Sequence, residues 1–99
     1  MSEALQLESV LRRSEAVVSR RIAGEAVLVP LRARAGELDA IYALNETAAL
    51  AWDLLDGRTP LGAVVERITA EFEVGRDEAA RDLLALASHL ESLGVVERV

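Results

Sequence analysis

The spacing of hydrophobic residues changes character at Asn45. Before this residue, short runs rich in β-branched side chains predict strands at residues 16–22, 25–31 and 38–44. After it, apolar residues recur at helical spacing and predict helices near residues 46–56, 60–73 and 77–93. Short links between consecutive strands favour an antiparallel meander, whose third strand then lies at an edge of the sheet. The pattern predicts an α+β fold in which a three-stranded antiparallel sheet is followed by three helices.

The predicted helix ends carry the residues that commonly start and stop helices. Asn45 is a favoured N-cap, because its side-chain oxygen can accept a hydrogen bond from an unpaired backbone amide. Pro60 suits the first position of the second helix, and Asp77 can cap the third. Gly57 and Gly94 suit the left-handed position after a helix, so we expect the first and third helices to stop there.

The third helix has a wide apolar surface with two different flanks. Steps of 100° per residue place one core stripe on Ala79, Leu83, Leu86, Leu90 and Leu93. One flank of that stripe is polar and carries Glu78, Asp82 and His89. The other carries Ala80, Leu84 and Ala87, with Ser88 and Glu91 at its margin. This second flank is either part of a broad core face or one wall of a groove.

Residues 1–13 have no single interpretation. Leu7, Val10 and Leu11 either form one helical turn or belong to a loose lead-in to the first strand. A length of 99 residues otherwise predicts one domain spanning residues 1–99.

The composition is that of a globular protein, with 52% hydrophobic and 28% charged residues. The chain has no cysteine, which excludes disulfides and thiolate chemistry. We expect a cytoplasmic protein without a membrane partner, because the start lacks the features of a signal peptide and no apolar run is long enough to span a bilayer.

The net charge of −6 is unevenly distributed. Residues 1–44 hold six Arg and six acidic residues, whereas residues 45–99 hold five Arg and eleven acidic residues. Nucleic-acid binding requires clustered positive charge to contact phosphates. The acidic helical half therefore argues against a nucleic-acid partner.

No catalytic constellation is apparent. His89 is the only histidine and lies on a polar helical flank, which is typical of a solvated surface residue. No glycine-rich phosphate loop or metal-ligand spacing is present, so we expect no metal and no cofactor. Tyr42 and Trp52 are either ligand-stacking aromatics or, as is more common at such positions, core residues, and we expect Trp52 to be largely buried between helix and sheet.

Three stretches together resemble a known family. They are the run YALNETAALAWDLLDG, the apolar pattern of the second helix, and the run DLLALASHLESLGVVE. The most specific part is Leu44-Asn45 followed by residues 52–57, and Asp82-Leu83 with Leu86 and Leu90 matches the third-helix signature. On these residues, over roughly positions 16–97, the chain resembles the PqqD-like peptide-recognition elements of ribosomal peptide-modification pathways.

The resemblance implies a winged helix-turn-helix-like fold and a non-enzymatic module that binds the leader segment of a precursor peptide. It implies that the leader adds as a strand to the third strand and lies against the third helix, while a partner such as a radical enzyme, cyclase or protease modifies the rest of the peptide. The strand residues of this expected site are Leu38, Asp39, Ala40, Ile41, Tyr42 and Ala43. The helix residues are Ala80, Leu84, Ala87, Ser88 and Glu91.

Two alternatives come from other classes. One is a nucleic-acid-binding winged helix, and the other is a scaffold subunit that binds a partner enzyme alone. The nature of the neighbouring genes would separate these classes. A monomer and a homodimer paired through the free strand edge are both compatible with the pattern.

Overall fold

The described part of the chain folds into two antiparallel sheets and three helices. A computed structural model describes residues 4–31 and 42–99. The elements are β1 (Val10–Arg13), β2 (Val17–Ile22), β3 (Glu25–Pro30), β4 (Tyr42–Leu44), α1 (Glu46–Leu54), β5 (Asp56–Pro60), α2 (Leu61–Glu71), α3 (Arg76–Ser92) and β6 (Val96–Arg98). The predicted α+β class, the antiparallel meander and the three helices are confirmed.

The predicted meander is the sheet of order β2-β3-β4. A tight turn at Ala23-Gly24 joins its first two strands, and both residues have positive φ, 53° and 85°. The third strand pairs Tyr42 with Leu28 and Leu44 with Ala26. Residues 38–41 of the predicted third strand lie outside the described residues.

Helix α1 covers the inner face of this sheet. The Asn45 side chain accepts a hydrogen bond from the Ala48 amide at 2.9 Å, as predicted for the N-cap. Trp52 is 2% exposed and belongs to the core, so its predicted burial is confirmed. The expected role of Gly57 as the helix stop is wrong, because the helix ends at Leu54 and Gly57 lies within β5, although its φ is +82°.

After α1 ends, the Asp56 carboxylate binds the backbone at the start of β5. It accepts hydrogen bonds from the amides of Arg58 and Thr59, both at 2.9 Å, and from the Thr59 hydroxyl at 3.0 Å. These donors favour the ionised form, and the two backbone amides lower the pKa of Asp56 most. The charge on Asp56 therefore stabilises the start of β5.

This geometry predicts a pH-dependent contribution to stability. Because the pKa of Asp56 is lower in the folded than in the unfolded chain, its stabilising effect is present at neutral pH and disappears as the pH falls below about 4. We expect Asp56→Ala to lower the free energy of unfolding at pH 7, with a smaller difference from wild type at pH 3. Urea denaturation at both pH values, with Glu73→Ala as an exposed control, measures this effect. An equal difference at pH 7 and pH 3 would contradict the role of the charge.

The second sheet has the order β5-β1-β6 and was not predicted. Leu11 pairs with Arg98 on one side of β1, and Val10 pairs with Pro60 on the other. Leu5 and Leu11 are both buried. The interpretation of residues 1–13 as a loose lead-in or a helical turn is thus wrong for residues 10–13, which form the central strand of a sheet.

The segment before β1 caps helix α2. The first two backbone amides of α2 donate hydrogen bonds to this segment. The Leu61 amide binds the Ser9 carbonyl at 2.9 Å, and the Gly62 amide binds the Leu7 carbonyl at 2.8 Å. A β-carbon on Gly62 would lie 3.3 Å from that Leu7 oxygen, so glycine permits the close approach. Pro60 is the N-cap residue of α2 rather than its first helical residue, because β5 extends to Pro60.

Helix α3 ends as predicted but starts differently. Gly94 has φ of +75°, its amide binds the Glu91 carbonyl at 3.0 Å, and the Val95 amide binds the Leu90 carbonyl at 3.2 Å. This is the hydrogen-bond pattern of a Schellman stop. Asp77 lies inside the helix, and the N-cap is Gly75, without a side-chain hydrogen bond.

The buried face of α3 is rotated relative to the predicted stripe. Its buried residues are Ala79, Leu83, Ala87 and Leu90. Leu86 is only partly buried, and Leu93 is 48% exposed. The rotation brings Ala87 into the core and moves Leu86 toward the surface on the side of Asp82.

Candidate functional site

A cleft of about 380 Å³ separates β4 from α3. Its walls come from both elements, and its floor is formed by apolar side chains of α1, α2 and the loop before α3 together with Leu83 and Leu86 of α3. The lining residues are Tyr42, Ala43, Leu44, Asn45, Thr47, Ala48, Ala51, Ile68, Val74, Ala79, Asp82, Leu83 and Leu86. The cleft thus has a strand along one side and mostly apolar residues in its lining.

Strand β4 gives the cleft a backbone edge. One side of β4 is paired with β3, whereas β4 is the last strand of the sheet order in the described part of the chain. Its residues also line the cleft. A strand at the end of a sheet offers amides and carbonyls to an added strand.

The opposite wall is one flank of α3. Asp82 and Leu86 line the cleft from this flank. One turn further along, His89 contacts Tyr42 of β4, with ring centroids 5.2 Å apart and ring planes inclined by 49°. Asp82, Leu86 and His89 follow the spacing i, i+4, i+7, so they form a row along the cleft.

Among the described residues that line the cleft, Asp82 is the only charged one. Its side chain is exposed, and it has no hydrogen bond or ion pair within residues 4–31 and 42–99. Within the described part of the chain, the cleft therefore combines an apolar floor with one carboxylate at its wall that has no partner.

The residues predicted for the site are only partly brought together. Tyr42 and Ala43 lie in the cleft as expected, and residues 38–41 lie outside the described residues. The flank of α3 predicted for the site, formed by Ala80, Leu84, Ala87, Ser88 and Glu91, does not line the cleft beside β4. That flank is on the other side of the buried face of the helix.

Two contacts define the position of this other flank. Ala87 is 1% exposed and belongs to the core. Glu91 binds Arg98 of β6 through the guanidinium Nε at 2.6 Å and Nη2 at 3.2 Å. Arg98 lowers the pKa of Glu91 through this hydrogen bond and its charge, despite an opposing effect of desolvation. The flank thus lies beside the second sheet, and any role of its residues in peptide binding stays a prediction.

The sequence contains a signal for the residues of α3 on the side of β4, which the predicted site leaves out. Asp82 and Leu86 are part of the third-helix signature, and His89 continues their row by a further turn. Helical periodicity places Leu86 on the core stripe and Asp82 and His89 on a solvated flank, because it defines two flanks without showing which one faces β4.

The described residues contain no group of three His, Asp or Glu side chains placed to hold a metal ion. Within the same ranges, none of the helices has the length and apolar character needed to cross a membrane. The cleft between β4 and α3 is therefore the candidate functional site.

A family model matches residues 25–96, which include β3, β4, the cleft and all three helices. Its description is coenzyme PQQ synthesis protein D (PqqD). The match covers well over half of the chain, and the chain belongs to the PqqD family. The resemblance identified from the sequence is confirmed.

Two solved structures share the fold. The structure of TbiB1 in complex with the TbiA(beta) leader peptide is 30% identical, with a TM-score of 0.72, and the match covers 87% of this chain and 94% of that one. Lasso peptide synthetase B1 complexed with the leader peptide is also 30% identical, with a TM-score of 0.71 over 88% of this chain and 96% of that one. No curated protein matches this chain significantly.

Proposed function

We propose that this chain binds the leader segment of a ribosomally made precursor peptide in the cleft between β4 and α3. The leader adds as a further strand to β4, and its side chains on one face point toward α3. The observation that carries the proposal is the cleft itself, which joins an edge of β4 that has no strand partner among the described residues to an apolar floor. Both similar structures are complexes with leader peptides, which supports the same class of ligand here.

The physical chemistry of the cleft suits a peptide ligand. Main-chain hydrogen bonds to β4 give affinity that depends little on the peptide sequence, and pockets for alternate side chains supply the selectivity. Each hydrogen bond contributes only about 0.5–1.5 kcal/mol net. Most of the affinity must therefore come from apolar side chains entering the floor around Leu83 and Leu86.

The proposed role is delivery rather than catalysis. The module holds the leader while a partner enzyme modifies the remainder of the precursor, so that modification occurs at a raised effective concentration. No step of this role requires a nucleophile, a metal ion or a general base from this chain.

The charges around α3 favour a peptide over a nucleic acid. The helix carries the acidic residues Asp77, Glu78, Asp82 and Glu91. Arg76, at its start, lies 2.8 Å from Glu66 and is paired. A phosphate backbone approaching this helix would meet mainly negative charge.

The test is an NMR titration of the ¹⁵N-labelled protein with the leader of a precursor peptide encoded beside its gene. We expect the largest amide shifts at Tyr42–Leu44 and along Asp82, Leu86 and His89, with small shifts at Leu84 and Glu91. A scrambled leader is the ligand control. Shifts confined to the flank of Leu84 and Glu91 would contradict this location. Binding of duplex DNA at physiological salt, with no response to leader, would contradict the function.

A substitution of His89 tests the aromatic end of the cleft. Because His89 packs on Tyr42 of the receiving strand, we expect His89→Ala to weaken leader binding by about twofold to tenfold, the range of a single aromatic contact. Ser92→Ala, one turn further along α3, is the matched control and should bind normally. Calorimetric titration measures both, and equal affinities for the two variants would show that the ring pair does not contribute.

A further inference from the structure

We propose that the cleft selects leaders that carry an apolar side chain and a basic side chain two residues apart. The proposal depends on the proposed function and adds the chemistry of the ligand. The apolar side chain occupies the floor beside Leu83 and Leu86, and the basic side chain pairs with Asp82.

The repeat distances of the two elements match. Asp82 and Leu86 are four residues apart on α3, a separation of roughly 6 Å along the helix axis. In an added strand, side chains on the same face are two residues apart, a separation of roughly 7 Å. Consecutive side chains that face α3 therefore meet Leu86 and Asp82 in turn, while the intervening side chain points away from the helix.

The positions of the apolar and the basic side chain relative to the ends of α3 follow from the arrangement of the cleft. Tyr42 contacts His89 near the C-terminal half of α3, and the cleft extends along β4 to Asn45 and Ala48. The basic side chain thus lies on the side of the apolar one that is toward the N-terminus of α3. The Tyr42–His89 pair lies at the other end.

The negative charge in the cleft determines that the paired side chain of the bound peptide is basic. Asp82 is the single charged lining residue and has no partner of its own among the described residues. Glu78 lies one turn before it on the same flank and adds to the negative potential. A Lys or Arg in the bound peptide gains a carboxylate partner there, whereas an Asp or Glu is repelled.

The experiment is a selection from a library of random twelve-residue peptides displayed on mRNA, with the wild-type protein and with Asp82→Lys as separate baits. We expect the wild-type protein to enrich peptides with an apolar residue and a Lys or Arg two positions away. Asp82→Lys should enrich Asp or Glu at that second position. For a peptide selected by wild type, Asp82→Asn should lower affinity about fivefold, as expected for one exposed ion pair. Asp77→Asn, the same change outside the cleft, should leave affinity unchanged.

The outcomes separate the two proposals. Peptides that require the cleft, shown by loss of binding to Leu86→Asp, but carry no basic residue and bind Asp82→Asn normally, would overturn the charge selectivity and leave the proposed function intact. Selected peptides that bind Leu86→Asp as well as wild type, or failure to enrich any peptide, would overturn the proposed function and this inference with it.

Discussion

Replacement of Trp52 by alanine should lower the free energy of unfolding by about 3–5 kcal/mol, the range for large-to-small substitutions of buried aromatic residues. Trp52 is 2% exposed and is the largest fully buried side chain among the described residues. It lies on α1, which contacts β3, α2 and α3, so the cavity would open where several elements meet. Small domains are stable by only about 5–15 kcal/mol, and the variant would lose a large part of that margin.

Chemical denaturation followed by circular dichroism measures this loss. Phe72→Ala is the matched control, because Phe72 is an aromatic residue that is only partly buried against the core. We expect its effect to be clearly smaller than that of Trp52→Ala. Similar midpoints for wild type and Trp52→Ala would show that the ring is peripheral.

Substitution of Leu86 by aspartate should weaken leader binding by at least about thirtyfold, equivalent to about 2 kcal/mol. Leu86 is partly buried and lines the cleft, so a bound peptide would have to desolvate the new carboxylate. The adjacent carboxylate of Asp82 would add repulsion between like charges. The fold should survive, because Leu86 lies at the edge of the core rather than at its centre.

Leu84→Asp is the control that distinguishes the two flanks of α3. Leu84 is also partly buried, on the same helix, but it does not line the cleft. Calorimetric titration of both variants, after circular dichroism has shown that they are folded, gives the comparison. Normal binding by Leu86→Asp together with loss of binding by Leu84→Asp would place the peptide on the flank beside β6.

Local signals in the sequence predicted the part of the fold that is built from neighbouring segments. The hairpin of β2 and β3, the Asn45 cap and the Gly94 stop each depend on a few consecutive residues. The sheet of β1, β5 and β6 has no comparable signal. Its strands are three to five residues long, and Leu11 pairs with Arg98, almost the whole chain away. Such strands are defined by their distant partners rather than by their own periodicity.

The sequence predicts which strand and which helix form the proposed site, but not which side chains line it. A free strand edge and a helix with a wide apolar face both follow from the sequence. The choice between the Leu84 flank and the Leu86 flank depends on how α3 is rotated about its axis. Burial of Ala87 and the pairing of Glu91 with Arg98 are consistent with that rotation, which depends on tertiary contacts that helical periodicity does not encode.

The position of β1 between two distant partners has a consequence for the order of folding during synthesis. Strands β2, β3 and β4 pair with their neighbours along the chain, so they can associate soon after they leave the ribosome. Strand β1 is made before them, yet it completes its pairing only when Val96–Arg98 emerges. We therefore expect the sheet that forms one side of the cleft to assemble early, while β1 stays unpaired on the β6 side until Val96–Arg98 has been made.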